Sequence, residues 1–540
     1  MKTVLITLLV SMGALTGTFA ADTNAVIYEG SSCFIPANPI DSIVAKNLEA
    51  LGVHPALCSD SVFLRRVFLD VIGTLPTAEE TREFLQDPDK NKRITLIDRI
   101  LDRDEFAYYW AMKWCDILRV KAEFPVNLWP NAAQAYHHWI LASIRENKPY
   151  DQFVREMLTA NGSNFRVGQV NFYRALQNKT PEGIASAVAL TFMGTRVESW
   201  PKKESLPGMA VFFSQVSYKP TREWKEEIVF WDPDKRLAPP PTNQTLNAVT
   251  NAATPQVALF PDGKQLKKLP PDQDPREIFA NWLITPKNPW FTANIVNRTW
   301  SWFMGRGIIH EPDDIRPDNP PVNPALLKYL QKEFVASRYN MKHLFRMILT
   351  SRTYQSSSLV PKSEFPDRLE ANFGFYPLRR LDAEVLIDAI NKVTGTSDLY
   401  TSAIPEPFTI IPDNKPAIAL PDGSITSPFL ELFGRPARAT GMENERLNRV
   451  IPTQKMHLLN SSHIQRKLEK NPHLKQLLKS KLKPKEMIEE LYLAMLSRYP
   501  TPDEQKDAEA YGKSGAAKGD DVWLDLTWAL MNSDEFLYRH

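Results

Sequence analysis

The sequence predicts a mainly α-helical protein with two helical domains, a small β-containing linker between them and one turn-rich insertion. Apolar residues recur at intervals of three and four along most of the chain, as from Phe63 to Val71, and this is the period of an amphipathic helix. The 43 prolines outnumber the 21 glycines and cluster between these helical patterns, which is typical of ordered connections. Because 540 residues exceed what one core usually supports, we expect more than one domain.

The first 20 residues have the layout of a secretory signal peptide. Lys2 precedes a short apolar run, and small residues follow it up to Ala20, so we expect cleavage near Ala20 or Ala21. A transmembrane anchor is the alternative, but the apolar run is short of the ~20 residues that a span needs. We therefore expect an exported protein, periplasmic or extracellular, whose residues 21–37 form an N-terminal arm.

The balance of charges limits the classes of partner that the protein is expected to bind. The 65 basic and 63 acidic residues nearly cancel, leaving a net charge of +2. Nucleic-acid and membrane-surface binding usually require a clustered basic excess. We therefore expect neither a nucleic-acid partner nor a general membrane-surface role. We also expect no transmembrane anchor, because no segment after the first 20 residues is apolar enough to cross a bilayer.

Three cysteines are present, and an exported chain permits disulfides. Cys33 and Cys58 flank one predicted helix, and we predict a disulfide between them, although spacing alone does not fix connectivity. Cys115 lies among aromatic residues at helical spacing and is predicted to be a buried thiol.

The first helical domain is predicted over residues 38–233. Asp60 is the expected N-cap of its first strong helix, and Thr77 to Glu80 has the pattern of a capping box. The segment from Ile184 to Met193 is apolar on nearly every side, which predicts a central helix.

A Pro-rich linker with short strands is predicted over residues 234–273. Val257 to Phe260 reads as a strand that enters the turn Pro261 to Gly263. Glu227 to Trp231 is its candidate partner strand.

The second helical domain is predicted over residues 274–540. Its Trp-rich helix should end at Gly305 and a later one at Gly395. Residues 396–440 then alternate Pro, Asp-Gly and short β-favouring pieces, which predicts a turn-rich insertion. A lid or recognition segment and a plain irregular insertion are both open interpretations.

One loop of this domain, residues 305–318, is crowded with polar side chains. A structural ion-pair loop is the favoured interpretation, since Arg298, Arg306 and Arg316 supply counter-ions. Hard-cation binding is the second, because it needs several converging oxygens; the candidate ligands are His310, Glu311, Asp313, Asp314 and Asp318. Catalysis is the third, with candidates Asp313, Asp314, His310, Glu311, Arg298, Arg380, Asp382 and Glu445.

Several long motifs resemble known domains. FLRRVFLDVIGTLPTAEE, PYDQFVREML and ALTFMG resemble the secreted bacterial domain of unknown function 1549, described as cytochrome-c-like and common in planctomycetes and verrucomicrobia. NPWFTANIVNRTWSWFMGRGII, DDIRPDNPP, HLFRMILTSRTYQ, RRLDAE and QKMHLLN resemble its usual companion, domain of unknown function 1553. The family's frequent occurrence beside exported sulfatase-like proteins implies a role in polysaccharide processing.

The chain departs from these relatives where many of them carry sulfur and imidazole groups. Residues 198–203 replace a Cys-x-x-Cys-His haem box, Trp302 and Phe303 replace a His pair, and residues 442–446 read Met-Glu-Asn-Glu-Arg in place of Cys-x-Cys-Glu-Arg. The resemblance therefore implies no covalent haem and no other cofactor. We therefore do not expect an electron-transfer function, because Ser199 lies in the segment that replaces the haem box.

Two functional classes remain open. One is a non-haem binding or accessory protein, with a glycan or another exported protein as partner. The other is a hydrolase that uses the Asp/Glu/His/Arg cluster, although no complete catalytic motif is present. The hydrolase hypothesis expects the loop acids and the Arg379 to Glu384 segment to line one open cleft.

Overall fold

The structure is a computed structural model that describes residues 27–200, 205–235, 257–266, 269–411 and 413–540, with backbone only for residues 31–33. The expected signal peptide and most of the Pro-rich linker lie outside the described residues. Within the described ranges the fold is mainly α-helical, as predicted, and its sheets are small.

Most of the described chain is helix. The helices up to residue 210 are α1 Pro39–Glu49, α2 Asp60–Val71, α3 Ala78–Gln86, α4 Lys92–Leu101, α5 Asp104–Ile117, α6 Pro130–Arg145, α7 Tyr150–Leu158, α8 Asn171–Arg174, α9 Pro181–Val188 and α10 Ser205–Ala210. Those after residue 270 are α11 Pro275–Leu283, α12 Phe291–Met304, α13 Pro324–Ala336, α14 Met341–Leu349, α15 Pro366–Ala371, α16 Ala383–Thr394, α17 Pro428–Leu432, α18 Pro452–Asn460, α19 Ser462–Lys470, α20 Pro472–Lys479, α21 Pro484–Leu496, α22 Pro502–Lys513, α23 Asp521–Met531 and α24 Asp534–Leu537.

Local sequence explains where several helices begin. The capping box at Thr77 and Glu80 is confirmed, because each side chain accepts a hydrogen bond from the other residue's backbone N–H. The expected cap at Asp60 is wrong by one position. Ser59 is the N-cap and its hydroxyl accepts from Val62 N–H at 3.3 Å, whereas Asp60 is the first helical residue.

Glycines end two helices at the predicted positions. Gly305 ends α12 with φ +71° and Gly395 ends α16 with φ +63°. Both lie in the left-handed region, which glycine adopts without the steric cost that a Cβ brings. The apolar segment from Ile184 to Met193 is helical as predicted, as α9 followed by one π-helical turn.

Nine short strands form four small antiparallel sheets in the described ranges. The strands are β1 Glu29–Cys33, β2 Ala56–Cys58, β3 Gly162–Ser163, β4 Val216–Pro220, β5 Glu227–Trp231, β6 Ala258–Leu259, β7 Gln265–Leu266, β8 Arg379–Arg380 and β9 Tyr538–Arg539. They pair as β1-β2, β3-β5-β4, β6-β7 and β8-β9.

The predicted partner of the linker strand is wrong. β5 pairs with β4 over five residues and with β3, so both of its edges are taken. β6 pairs with β7, which follows it directly after the turn at Pro261 to Gly263. A tight turn brings its own flanking residues together first, and this local hairpin is therefore favoured over a distant partner.

One continuous apolar core contains residues from both predicted helical domains. Trp110 of α5 lies 5.2 Å from the ring of Trp302 and 5.5 Å from that of Phe303, both on α12. Its distance to Phe345 of α14 is 4.5 Å. Trp302 is therefore a core residue, and Trp300 is buried as well, 5.0 Å from the ring of Phe373.

A set of buried charged and phenolic side chains also joins the two halves, and we call it the polar seam. Its members are Asp70, Asp116, Tyr354, Tyr376, Asp382, Glu384, Arg446 and Arg539. Arg446, for example, donates to Glu384 and to Asp116, each at 2.6 Å. Because buried charges are costly unless matched, such pairing fixes how the two halves fit together.

Candidate ligand-binding basin

Arg298 and Asp313 form an isolated buried ion pair. Arg298 Nη2 lies 2.5 Å from Asp313 Oδ1, and the two side chains are 1% and 2% exposed. The other oxygen of Asp313 accepts from Glu443 N–H at 2.7 Å. The carboxylate is thus held by partners on both oxygens and joins the loop to residues 443–445.

The remaining polar groups of the loop lie in separate, more exposed contacts. Asp314 and Asp318 both pair with Arg316 at 3.1 Å, and Glu311 lies 3.4 Å from Arg196. Burial and the charge of Arg306 lower the pKa of His310, so its imidazole is neutral near pH 7. In the described ranges no three His, Cys, Asp or Glu side chains, these included, group as a metal ion requires.

Arg380 and Asp382 lie elsewhere, whereas Glu445 lies two residues after Glu443, whose N–H binds Asp313. Asp382 belongs to the polar seam and accepts from Lys113 at 2.9 Å and from Arg539 at 2.8 Å. Burial alone would raise the pKa of Asp382, but these cations outweigh it and hold the pKa well below its ordinary value. Arg380 donates to backbone carbonyls of residues 433 and 447, and Glu445 accepts from the backbone of residues 439 and 440.

The eight catalytic candidates are therefore not assembled around one cleft. Those of the loop and those near residue 380 are engaged by different partners. This is the arrangement of structural ion pairs.

The structure instead assembles polar side chains around a large open basin that the sequence did not indicate. Its volume is about 870 Å³. We call this the basin, and it is lined by Gly395, Thr396, Ser397, Asp398, Leu399, Asn414, Ser427, Pro428, Phe429, His457, His463, Arg466, Lys467, Lys470 and Pro472.

A chain of hydrogen bonds runs along one wall of the basin. His457 Nε2 lies 3.3 Å from His463 Nδ1, and His463 Nε2 lies 2.9 Å from Asp398 Oδ1. Oδ2 of Asp398 is buried and has no hydrogen-bond partner in the described ranges. The carboxylate thus orients His463, and His463 in turn orients His457.

The tautomers follow from this order. When both rings are neutral, His463 Nε2–H donates to Asp398, so His463 Nδ1 accepts from His457 Nε2–H. His457 Nδ1 then carries the free lone pair. Burial, and after it the charge of His463, lowers the pKa of His457. The neutral form of this imidazole therefore persists to a lower pH than that of an ordinary histidine.

Neighbouring groups favour the ionised form of Asp398. Burial alone would raise the pKa of Asp398, but the hydrogen bond from His463 and the charge of Lys467 outweigh it and hold the pKa below its ordinary value. Lys467 Nζ is 3.5 Å from Asp398 and also donates to Asn391 at 2.7 Å. Lys467 is therefore already engaged by Asp398 and Asn391, whereas the exposed Arg466 and Lys470 can bind a ligand in the basin.

Local structure explains how these groups meet. Ser461 ends α18 and caps α19, accepting from Ile464 N–H at 3.3 Å, so the chain bends between the two histidines. Gly395 ends α16 and releases the segment that carries Asp398. Phe429 of α17 lies 5.7 Å and 5.8 Å from the two imidazoles, edge to face, and forms the apolar floor.

Sequence reasoning missed this site, although one signal was present. Two of the nine histidines lie within seven residues, on either side of a serine pair that breaks a helix. Asp398 is 65 residues away and could not have been connected to them. The insertion at residues 396–440, for which a recognition role was one interpretation, supplies much of the basin lining.

The positions that replace sulfur and imidazole groups are elsewhere. Ser199 donates to Arg196 O at 2.7 Å, and Met442 lines a smaller cavity together with Glu198. Burial raises the pKa of Cys115 to about 12, and its thiol is buried as predicted. The Cys33 side chain lies outside the described part, and its backbone is opposite Ala56, so the disulfide with Cys58 stays a prediction.

Comparisons with known proteins agree with the motifs. Residues 39–199 match PSCyt2, a protein of unknown function (DUF1549), and residues 275–511 match PSD1, a protein of unknown function (DUF1553). Comparison with curated proteins and with solved structures found no match. In the ranges that the structure describes, no helix has both the length and the apolar character to cross a bilayer. The chain is therefore a protein in which a DUF1549 domain is followed by a DUF1553 domain.

Proposed function

We propose that this chain is a non-haem binding protein whose basin takes an anionic saccharide, one that carries sulfate or carboxylate groups. A single observation carries the proposal. The His457–His463–Asp398 chain and the side chains of Arg466, Lys467 and Lys470 face one open volume of about 870 Å³.

The lining supports this ligand class in two ways. Three permanent cations against one carboxylate give the basin a local positive charge, although the whole chain is close to neutral. Such a local field attracts anions and strengthens ion pairing inside a concave site. Charge alone therefore favours sulfate or carboxylate groups over a neutral ligand.

Hydroxyl and amide groups support the saccharide part. Thr396, Ser397, Asn414 and Ser427 line the basin and can both donate and accept hydrogen bonds. Phe429 and Leu399 add apolar surface, and Leu399 is 81% exposed. A mixed lining of this kind suits a ring with polar edges and apolar faces.

Charge reversal tests the proposal. We expect titration calorimetry with a panel of sulfated and uronate-containing oligosaccharides to find a ligand whose affinity falls at least about tenfold in Arg466→Glu/Lys470→Glu. Lys513→Glu is the control, since Lys513 is 81% exposed and is not among the residues that line the basin. Equal affinity in the wild type and the double variant would refute the proposal.

Hydrolysis of the same ligand is a second candidate function, favoured by the imidazole chain. A neutral His457 backed by His463 and Asp398 is suited to accept a proton from water. Turnover that falls by roughly 10²–10⁴ in His457→Gln, with binding retained, would support it. If the wild type binds the ligand but forms no product, binding is its only supported function.

Cellular location forms part of the proposal. The signal-like pattern of Met1 to Ala20 would deliver the chain to the periplasm or the cell exterior, where anionic polysaccharides occur. Fusion of these residues to a reporter that is active only after export tests this step. A reporter retained in the cytoplasm would contradict it.

A further inference from the structure

A second cavity, of about 190 Å³, lies between the segment that follows α9 and residues 439–442. Arg119 and Arg196 line it together with the polar residues Gln177, Asn178 and Ser186. The cavity has room for several waters, or for one small oxyanion with its hydration.

Arg119 is a buried cation without a carboxylate partner in the described ranges. Its side chain is 5% exposed; Nε donates to Thr440 O at 2.9 Å and Nη1 reaches Ile117 O at 3.5 Å. These acceptors are neutral carbonyls. Its third nitrogen, Nη2, faces Gly441, where a Cβ would come within 2.8 Å of it.

Burial of an unmatched charge has a measurable consequence. Desolvation lowers the pKa of Arg119 to about 10. Most buried arginines of this chain are matched by carboxylates, as Arg446 and Arg298 are. Arg65, Arg66 and Arg380 also bond only to backbone carbonyls in the described ranges, but Arg119 in addition lines a cavity. The charges of Glu445 and Asp313 act on Arg119 from beyond ion-pair contact.

Arg196 is the second cation of the cavity. It is one third exposed, lies 3.4 Å from the half-exposed Glu311, and its buried Nε has no partner in the described ranges. Such a long, solvent-exposed ion pair is weak and leaves the guanidinium available. Glu198 also lines the cavity, and its side chain is exposed.

We propose that this cavity is an anion-binding site in which Arg119 and Arg196 clamp a small oxyanion, a sulfate or the sulfate group of a larger molecule. Guanidinium groups present paired N–H donors in a fork that fits tetrahedral and planar oxyanions. The amide of Gln177, which also donates to Ala439 O at 3.0 Å, holds the facing wall in place. The site is separate from the basin and does not depend on its function.

Sulfate binding to the full chain tests this site. The titration uses Arg466→Glu/Lys470→Glu as background, so that the basin does not contribute, and sodium chloride holds the ionic strength constant because exposed ion pairing is screened by salt. We expect one sulfate per chain, with the dissociation constant raised at least about tenfold by Arg196→Gln and by Arg119→Gln.

Arg196→Gln is the safer variant, since this side chain is partly exposed and its loss leaves the core intact. Circular dichroism shows whether Arg119→Gln is folded. If it is not folded, the Arg196→Gln variant alone decides. Absence of sulfate binding in the background protein, or unchanged affinity in folded Arg196→Gln, overturns the proposal.

Discussion

Arg539 Nη2 donates a 2.8 Å hydrogen bond to Asp382 Oδ2, and this contact ties the next-to-last residue of the chain to the start of α16. Arg539 Nη1 also lies 3.3 Å from Asp70, on α2. One guanidinium thus bridges carboxylates from the two halves of the molecule. The polar seam is closed by a residue that follows both matched domains.

Removal of Arg539 and His540 should destabilise the fold strongly. The truncation leaves Asp382 and Asp70 with one fewer cation each, and it removes the His540 carbonyl that accepts from Arg66 at 2.9 Å. Breaking a buried ion pair from one side typically costs about 3–5 kcal/mol. Urea unfolding measures the free energy of unfolding, and a loss below about 1 kcal/mol would contradict this role.

Asp382→Asn should act on stability. Asp382 is 1% exposed and its partners Lys113 and Arg539 are themselves largely buried. The variant therefore leaves Lys113 without its carboxylate and Arg539 with Asp70 alone. We expect a loss of about 3–5 kcal/mol in the free energy of unfolding. Lys513→Ala, at an exposed pair, is the control and should cost less than about 1 kcal/mol. A fully stable Asp382→Asn protein would refute the structural role.

The Arg298–Asp313 pair can be examined with a double-mutant cycle. Arg298→Met leaves the buried Asp313 carboxylate without its cation, for an expected cost of about 3–5 kcal/mol. The double variant Arg298→Met/Asp313→Leu removes both charges and should recover part of that loss. Thermal unfolding of the four proteins gives the coupling energy. A strictly additive cycle would mean that the two groups do not depend on each other.

Burial of His137 should make the protein less stable in acid. Its ring is 2% exposed, and burial, followed by the charge of Arg438, lowers its pKa to about 3. The unfolded chain takes up this proton near pH ~6.5, so below that pH the unfolded state binds more protons and is favoured.

The free energy of unfolding should therefore fall by up to about 1.4 kcal/mol per pH unit as the pH drops from about 6.5 towards about 3. His137→Leu should flatten this dependence, whereas the exposed His343→Ala should not. Urea titrations at several pH values measure the slope. The same slope in wild type and His137→Leu would refute the assignment.

Sequence reasoning recovered the features that depend on neighbouring residues. The helical class, the capping box at Thr77 and the helix ends at Gly305 and Gly395 each follow from a few adjacent side chains. The partner of β5 was missed because strand pairing depends on which edges are already taken.

The basin was missed for a related reason. His457, His463 and Asp398 meet only because α16, α18 and α19 pack together, and no local spacing records that contact. The loop at residues 305–318 was expected to hold structural ion pairs, and the structure pairs Arg298 with Asp313 and Arg316 with Asp314. Sequence alone left metal binding and catalysis open there, because it does not record which acids lie beside which arginines.

Histidine NMR gives the sharpest test of ligand binding in the basin. The protein has nine histidines, and specific ¹⁵N labelling with His457→Gln and His463→Gln for assignment resolves the two rings of the basin. On titration with the sulfated or uronate-containing ligand, we predict that the imidazole signals of His457 and His463 shift together while that of the buried His137 stays fixed. Saturable binding that leaves both basin signals unchanged would contradict the account.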